Sequence, residues 1–299
     1  MVSRYDKYVS DLEEFLKTIN EISSRRYIRT NTLKISPDKL KKILLKKECV
    51  IKTTNLDEVF ELINTGYPIG ASLEYLLGYY YLQDLSSCYA VDAMELNENM
   101  KILDIAASPG GKTTYISQKL NNTGLIYAVE SDKKRLKKLV FNTTRCGSKN
   151  ISIYNIDGLS LSLSKIFSEA KFDNVILDAP CSCDGVIQKD RFRKKTYSTK
   201  SIDYCSTRQL NMINQAVSLV KPGGTLLYST CSYSPEENEF VVNSLFDKHD
   251  IIIEPYKYGV PGLTSFGDHQ LDKSLKNTRR FYPHIHNTLG FFIAKIHVK

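Results

Sequence analysis

Cys181 and Cys231 are the residues of this sequence whose type and setting most invite chemistry. Cys181 lies in Asp178-Ala-Pro-Cys-Ser-Cys-Asp-Gly185 and Cys231 in Ser229-Thr-Cys-Ser-Tyr-Ser234, each just after a short apolar run. A cysteine that loses its proton is a strong nucleophile, and two in one cleft would suit the two halves of a covalent reaction. The bland reading makes each a small buried hydrophobe. A metal is not expected here, because Cys181-Ser-Cys183 lacks the Cys-x2-Cys spacing of common zinc sites and no histidine stands near it in the sequence.

A second group of candidates begins at Asp104-Ile-Ala-Ala-Ser-Pro-Gly-Gly-Lys-Thr-Thr114, a glycine-rich turn between an apolar run and a helical stretch. In open α/β sheets such a turn lets a ligand approach backbone N–H groups beyond the strand ends. Ala106-x4-Gly111-Lys112-Thr113 is one glycine short of a phosphate-binding loop. Phe172-Asp-Asn-Val-Ile-Leu-Asp178 also resembles the strand whose aspartate holds magnesium in such enzymes. A P-loop-type NTPase is therefore the rival reading. Pro109 favours a nucleoside-type cofactor instead, because a phosphate cradle needs successive N–H donors and proline has none. Glu130 and Asp157 end the next two apolar runs, where a carboxylate can take ribose hydroxyls or merely cap a helix.

These motifs need elements to carry them. The runs Ile102–Ile105, Leu125–Val129, Ile151–Tyr154, Val175–Leu177 and Thr225–Tyr228 alternate with helical stretches. That alternation implies βαβ units in a doubly wound α/β domain with a parallel sheet, over residues 76–299. In a parallel sheet the strands leading to Cys181 and Cys231 end on the same edge. Ser234-Pro-Glu-Glu237 reads as a capping box, and Lys221-Pro-Gly-Gly224 as the stop of the preceding helix. Residues 1–75 read as a small α+β module: an amphipathic helix over 4–20, a strand over 27–35, a basic helix over 37–47 and another helix near 55–64.

The chain is 42% hydrophobic and 25% charged, ordinary globular proportions. It has no apolar run long enough for a membrane span and no signal-peptide core, so a cytoplasmic protein without membrane contact is expected. The seven scattered cysteines fit reduced thiols rather than a disulfide framework. A net charge of +8 is compatible with a polyanionic partner. The cations concentrate at Lys189, Arg191, Arg193, Lys194 and Lys195, with Phe192 among them and Tyr197 just after, residues able to grip phosphates and stack a base.

Taken together, the segments Asp104–Thr114, Asp178–Gly185 and Thr230-Cys-Ser-Tyr-Ser-Pro-Glu-Glu-Asn238 resemble the RNA (cytosine-5)-methyltransferases of the NOL1/NOP2/Sun (RsmB/NOP) family, in particular their archaeal tRNA type. Arg29-Thr-Asn-Thr-Leu33, Tyr81-Leu-Gln-Asp-Leu-Ser-Ser87, Arg280-Phe-Tyr-Pro-His284 and Gly290-Phe-Phe-Ile-Ala-Lys295 extend the likeness over most of the chain. The chain departs from the family pattern where Ala106-Ala-Ser108 replaces Cys-Ala-Ala and where Cys183 replaces the glycine of Pro-Cys-Ser-Gly. The resemblance implies a Rossmann-like methyltransferase domain with an RNA-recognition-like N-terminal extension that Arg25, Arg26 and Arg29 would serve. It implies S-adenosyl-L-methionine as cofactor, held by Ala106, Ala107, Ser108, Pro109, Gly110, Gly111, Lys112, Glu130, Asp157 and Asp178. It implies attack on cytosine C6 by Cys231 and product release by Cys181, with Asp178 and Lys112 beside the base. Protonated, Asp178 would donate to N3; ionised, it would accept from the exocyclic amine. The implied partner is RNA, with tRNA expected before rRNA because the chain is compact, and the protein is expected to act as a monomer.

Overall fold

The computed structural model describes residues 2–21 and 25–299. The chain forms two compact units, one of Met1–Ser23 with Asp157–Lys299 and one of Ser24–Ile156. Residue 75, the boundary expected from the sequence, falls inside the second of these. Among the described residues no helix is long and apolar enough to cross a membrane.

The N-terminal segment forms two helices, α1 (Val2–Tyr5) and α2 (Leu12–Asn20), where one helix over 4–20 was expected. Asp11 divides them. Its backbone is left-handed and its side chain accepts from Glu14 N, so it caps a new helix instead of continuing the old one. Tyr5, Phe15 and Ile19 pack with Tyr233 and Tyr282 in an aromatic cluster of their own unit.

In the Ser24–Ile156 unit, β1 (Arg26–Thr30), α3 (Pro37–Lys46), β2 (Val50–Thr53), β3 (Val59–Asn64), α4 (Leu73–Leu76) and β4 (Tyr80–Leu82) come first. The strands form an antiparallel sheet in the order β2-β3-β1-β4. The helix expected near 55–64 is thus a strand. Val59, Phe60 and Leu62 are buried, and the β-branched and aromatic residues there find hydrogen-bonding edges in both β1 and β2. Next come α5 (Leu85–Asp92), β5 (Lys101–Asp104), α6 (Gly111–Lys119), β6 (Leu125–Val129), α7 (Lys133–Cys146) and β7 (Ile151–Tyr154). β5, β6 and β7 pair in parallel, as their alternation with helices requires. α7 is bounded by Asp132, which accepts from Lys134 N and Arg135 N, and by Gly147 in the left-handed region at φ 73°.

In the other unit, β8 (Phe172–Asp178), α8 (Phe192–Thr196), α9 (Thr199–Ser218) and β9 (Val220–Thr230) form a parallel crossover in which α9 packs on both strands. Ile213, Ala216 and Val217 supply its buried face. Then follow α10 (Glu239–Asn243), β10 (Ile251–Glu254), β11 (Val260–Pro261), a small hairpin of β12 (Ser265–Phe266) and β13 (His269–Gln270), β14 (Arg279–Phe281), α11 (Pro283–His286) and β15 (Phe291–Val298). β15 runs antiparallel between β9 and β14 and also pairs with β10. All five strands expected for the parallel sheet are present, and the architecture is mixed α/β with parallel pairing where helical crossovers connect strands.

Candidate active site

The glycine-rich turn leaves β5 at Asp104, a buried carboxylate whose Oδ2 accepts from Thr113 Oγ1 at 2.6 Å. Ala107 N donates to Val129 O at 2.9 Å, which ties the turn to the end of β6. Gly110 has φ 101° and caps α6; a Cβ there would stand 3.1 Å from Leu139 Cδ1. Glycine is needed at this position for its backbone angle as much as for space. The carbonyls of the turn point toward α7, where Arg135 Nη2 donates to Ser108 O at 2.7 Å and Asn142 Nδ2 to Pro109 O at 2.9 Å. Ala107, Ser108 and Gly110 are buried, Ala106, Gly111 and Lys112 are partly exposed, and Lys112 sits in the first turn of α6.

Glu130 follows β6 in the same unit and is 2% exposed. Its Oε1 accepts from Asp132 N at 2.9 Å. Its Oε2 lies 3.6 Å from Arg135 Nε yet accepts no hydrogen bond from the described residues. A buried acceptor in that condition is costly unless a bound hydroxyl completes it. Arg29, expected to serve an RNA surface, does something else. It is fully buried, lies over the rings of Tyr81 and Tyr115, and donates to Gln83, Gly111 O and Thr114. Its guanidinium braces the start of α6 instead of facing solvent, while Arg25 and Arg26 are exposed.

The cysteines meet in the other unit. β8 and β9 are in parallel register with Asp178 opposite Ser229, and Ser229 Oγ donates to Asp178 Oδ1 at 2.8 Å. The two chains leave these ends together, so that Cys181 Sγ and Cys231 Sγ stand 3.1 Å apart. Cys183 Sγ is 3.8 Å from Cys181 Sγ. All three cysteines are partly exposed. Cys183 has φ 60° and ψ 30°, a left-handed backbone that costs a residue with a side chain about 1–2 kcal/mol.

Two buried acids fasten the loops that carry the thiols. Glu237 accepts from Ser182 N at 2.8 Å, Ser182 Oγ at 2.5 Å, Ser232 Oγ at 2.5 Å and Gln209 Nε2 at 3.2 Å. Asp184 accepts from Tyr233 N at 2.8 Å and from Tyr5 OH at 3.2 Å. Gly185 N donates to Cys231 O at 3.0 Å, and a Cβ on Gly185 would lie 2.6 Å from that oxygen. The capping box expected at Ser234 is not formed. Ser234 makes no side-chain cap bond, and Pro235–Glu237 is one 3₁₀ turn that aims Glu237 back toward Ser182 and Ser232. Burial pushes the carboxyls of Glu237 and Asp184 above their ordinary range despite these donors.

The sulfurs titrate together. Hydrogen bonds from Cys181 and then Cys231 hold the Cys183 thiol well below its ordinary value, with the Arg193 charge adding to the effect. Cys181 is pushed up by its bonds to Cys183 and Cys231 and by burial. Cys231 is lowered by its bond with Cys181 but raised further by Cys183 and by burial, so it too ends up high.

Asp157 has local work: it accepts from Leu159 N at 3.0 Å and pairs with Arg208 at 3.3 Å. The basic segment is a turn and a short helix, α8, and not an open loop. Arg191 Nη2 donates to Asn20 O, Lys194 Nζ to Asn20 Oδ1, and Arg193 pairs with Asp190, while Phe192 is 65% exposed. Glu237, Asp184 and Gln209 were not singled out as site residues from the sequence. Glu237 had a signal in Pro235-Glu-Glu-Asn238, whose helical reading hid its other possible direction.

The family model described as 16S rRNA methyltransferase RsmB/F matches residues 91–297. A 28S rRNA (cytosine(4447)-C(5))-methyltransferase of Homo sapiens is 40% identical over 300 residues, 96% of this chain and 36% of that protein. The ribosomal RNA small subunit methyltransferase F of Erwinia tasmaniensis is 32% identical over 99% of this chain and 62% of its own length. The chain therefore spans only part of these curated relatives. Among solved structures, a methyltransferase homolog protein from Pyrococcus horikoshii superposes with a TM-score of 0.89 at 36% identity, over 99% of this chain and 94% of that one. NSun6 from the same organism, solved with SFG, superposes with a TM-score of 0.86 at 25% identity, over 99% and 96%.

Proposed function

This chain belongs to the RsmB/F family of RNA cytosine-C5 methyltransferases, and from that premise we propose that it transfers a methyl group from S-adenosylmethionine to C5 of a cytosine in RNA. The observation that carries the reading is the 3.1 Å approach of Cys181 Sγ and Cys231 Sγ at the ends of two parallel strands. Ribosomal RNA is the substrate in the names of the curated relatives, so it stands first as the substrate class. Transfer RNA, expected from the sequence, is the alternative. The phosphate-loop reading of Ala106–Thr113 gives way to the family. A monomer working in the cytoplasm remains part of the proposal.

The residues present fit the cofactor. Glu130 has a buried oxygen without a donor, suited to a ribose hydroxyl. The 106–112 turn and Glu130 would hold the cofactor, with Asp157 and Asp178 as the further acids assigned to it. When bound, it supplies an electrophilic methyl group.

C5 of cytosine is too electron-poor to take that group unaided. In the proposed reaction the Cys231 thiolate adds to C6, forming a C–S bond and shifting the π pair to C5. After methylation the C5 proton leaves, its electron pair restores the double bond, and the C–S bond breaks to return the Cys231 thiolate. Cys181 serves this elimination. Asp178 and Lys112 are assigned to the base, and a cytosine in a duplex must first leave its stack.

Bisulfite mapping of ribosomal and transfer RNA after reaction with the purified protein identifies the substrate. Cys231→Ala should abolish methylation. Cys181→Ala should methylate once and then accumulate a protein–RNA adduct that survives denaturing electrophoresis. An adduct that forms in Cys231→Ala and depends on Cys181 would reverse the assignment, and methylation by both variants would end the thiol mechanism.

A further inference from the structure

The third thiol of the cluster has no part in that reaction. Cys183 occupies a left-handed backbone conformation better suited to glycine. Its sulfur nevertheless lies beside the other two: Cys181, Cys183 and Cys231 place their Sγ atoms within 4.8 Å of one another. We propose that these three cysteines form a binding site for a single thiophilic metal ion, with Zn²⁺ as its divalent representative.

The geometry is close to what such an ion requires. Zinc–thiolate bonds of about 2.3 Å at tetrahedral angles put ligand sulfurs about 3.8 Å apart. Cys181 and Cys183 stand at 3.8 Å already. The 3.1 Å between Cys181 and Cys231 must open by roughly 0.7 Å, a side-chain adjustment rather than a change of fold. The supporting shell is in place. Glu237 holds the intervening Ser182 by both its N–H and its hydroxyl, and Gly185 N anchors Cys231 O, so the loops are fixed before any ion arrives. The three cysteine residues are partly exposed, which gives an ion a path, and three sulfur ligands leave a fourth position for water. Soft thiolate donors select zinc or cuprous ion over magnesium or calcium. Each ligating thiol gives up its proton to solvent as its bond to the metal forms, so uptake strengthens as pH rises.

Spacing along the chain hid this site. Cys-x-Cys alone is a poor zinc motif, and the third ligand arrives from a different strand. The metal site does not depend on the methyltransfer reading. Its consequence does: an ion bound here would engage both Cys231 and Cys181 and withhold them from RNA, so methylation would become sensitive to zinc.

The test is metal binding by the reduced, metal-free full chain. Zn²⁺ affinity is read by competition with a chromophoric chelator, and Co²⁺ is used to look for sulfur-to-metal charge-transfer absorption. One ion per chain and a thiolate absorption band are expected. Cys183→Ser and Cys183→Gly should each weaken Zn²⁺ binding more than about tenfold, since losing even an outer-shell partner of a metal ligand costs 10–100-fold. Cys183→Gly fits the left-handed backbone and keeps the test valid if the serine variant fails to fold. Cys205→Ser, which alters a partly exposed thiol outside the cluster, should leave affinity unchanged. Failure of the parent chain to bind Zn²⁺, unaltered affinity in the Cys183 variants, or an equal loss in Cys205→Ser would overturn the proposal. Because the readout is binding, the result is independent of whether the chain methylates RNA.

Discussion

Glu130 carries a sharper expectation than the other candidate cofactor residues because its two oxygens are so unlike. Oε1 is occupied by Asp132 N, whereas Oε2 is buried and accepts no hydrogen bond from the described residues. If Oε2 receives a ribose hydroxyl, Glu130→Ala loses a charge-assisted bond and also frees the start of α7. S-adenosylhomocysteine should then bind more weakly by on the order of 1.5–3 kcal/mol, or roughly 10–100-fold in Kd. Calorimetric titration measures this directly, and unchanged affinity in a folded variant removes Glu130 from the cofactor site. Asp157 is the useful contrast. It caps a 3₁₀ turn and pairs with Arg208, so part of any loss in Asp157→Ala would come from local unfolding of that turn. Similar positions after successive strands therefore hold acids with different local duties, a distinction that depends on where each carboxylate finds its donors.

At the scale of elements, Glu237 ties the end of β8 to the end of β9 through Ser182 and Ser232. Burial raises its carboxyl pKa in the folded chain. A raised carboxyl binds its proton more tightly folded than unfolded, so its contribution is full below the unfolded value of about 4.3 and is lost as pH climbs through the folded one. Glu237→Gln does not titrate. The stability of that variant relative to the parent should therefore improve between about pH 4.5 and about pH 7.5, as read by denaturant unfolding at both ends. A constant difference would mean that the folded carboxyl titrates as it does in the unfolded chain. Such a clasp was hard to read from sequence, because Ser234-x-x-Glu237 has the spacing of a capping box and one 3₁₀ turn suffices to redirect the glutamate. The strands were legible for the opposite reason. Runs such as Ile102-Leu-Asp and Val175-Ile-Leu are buried on both faces and state their own environment. Val59–Asn64 was misjudged because its strand character depends on the edges of β1 and β2, which no local window contains. Arg29 was misjudged because a charge reads as surface until the rings that enclose it are known.

At the scale of the whole molecule, the net charge of +8 must be converted into a place on the surface before it says anything about RNA. Among the stretches of described residues that present cations to solvent, two bear on RNA because an exposed aromatic ring stands among the charges. α7 exposes Lys133, Lys134, Lys137 and Lys138, with Phe141 54% exposed among them. The turn leading into α8 exposes Lys189, Arg191, Lys194 and Lys195 around Phe192. The second stretch is the better phosphate grip, because Arg191 and Lys194 are anchored on Asn20 and less freedom is lost when a strand binds. Each neutralised phosphate releases counterions, so affinity for RNA should fall steeply with salt. Replacing Lys194 and Lys195 with alanine should flatten the log–log slope by about 1.4 on single-stranded RNA if both meet phosphates. Replacing Lys137 and Lys138 should leave the slope nearly unchanged. Filter binding across a salt series distinguishes the two stretches: flattening confined to the α7 variant would put the RNA along that helix and leave the 189–195 segment as solvated charge, while equal slopes in all three proteins would detach RNA binding from both.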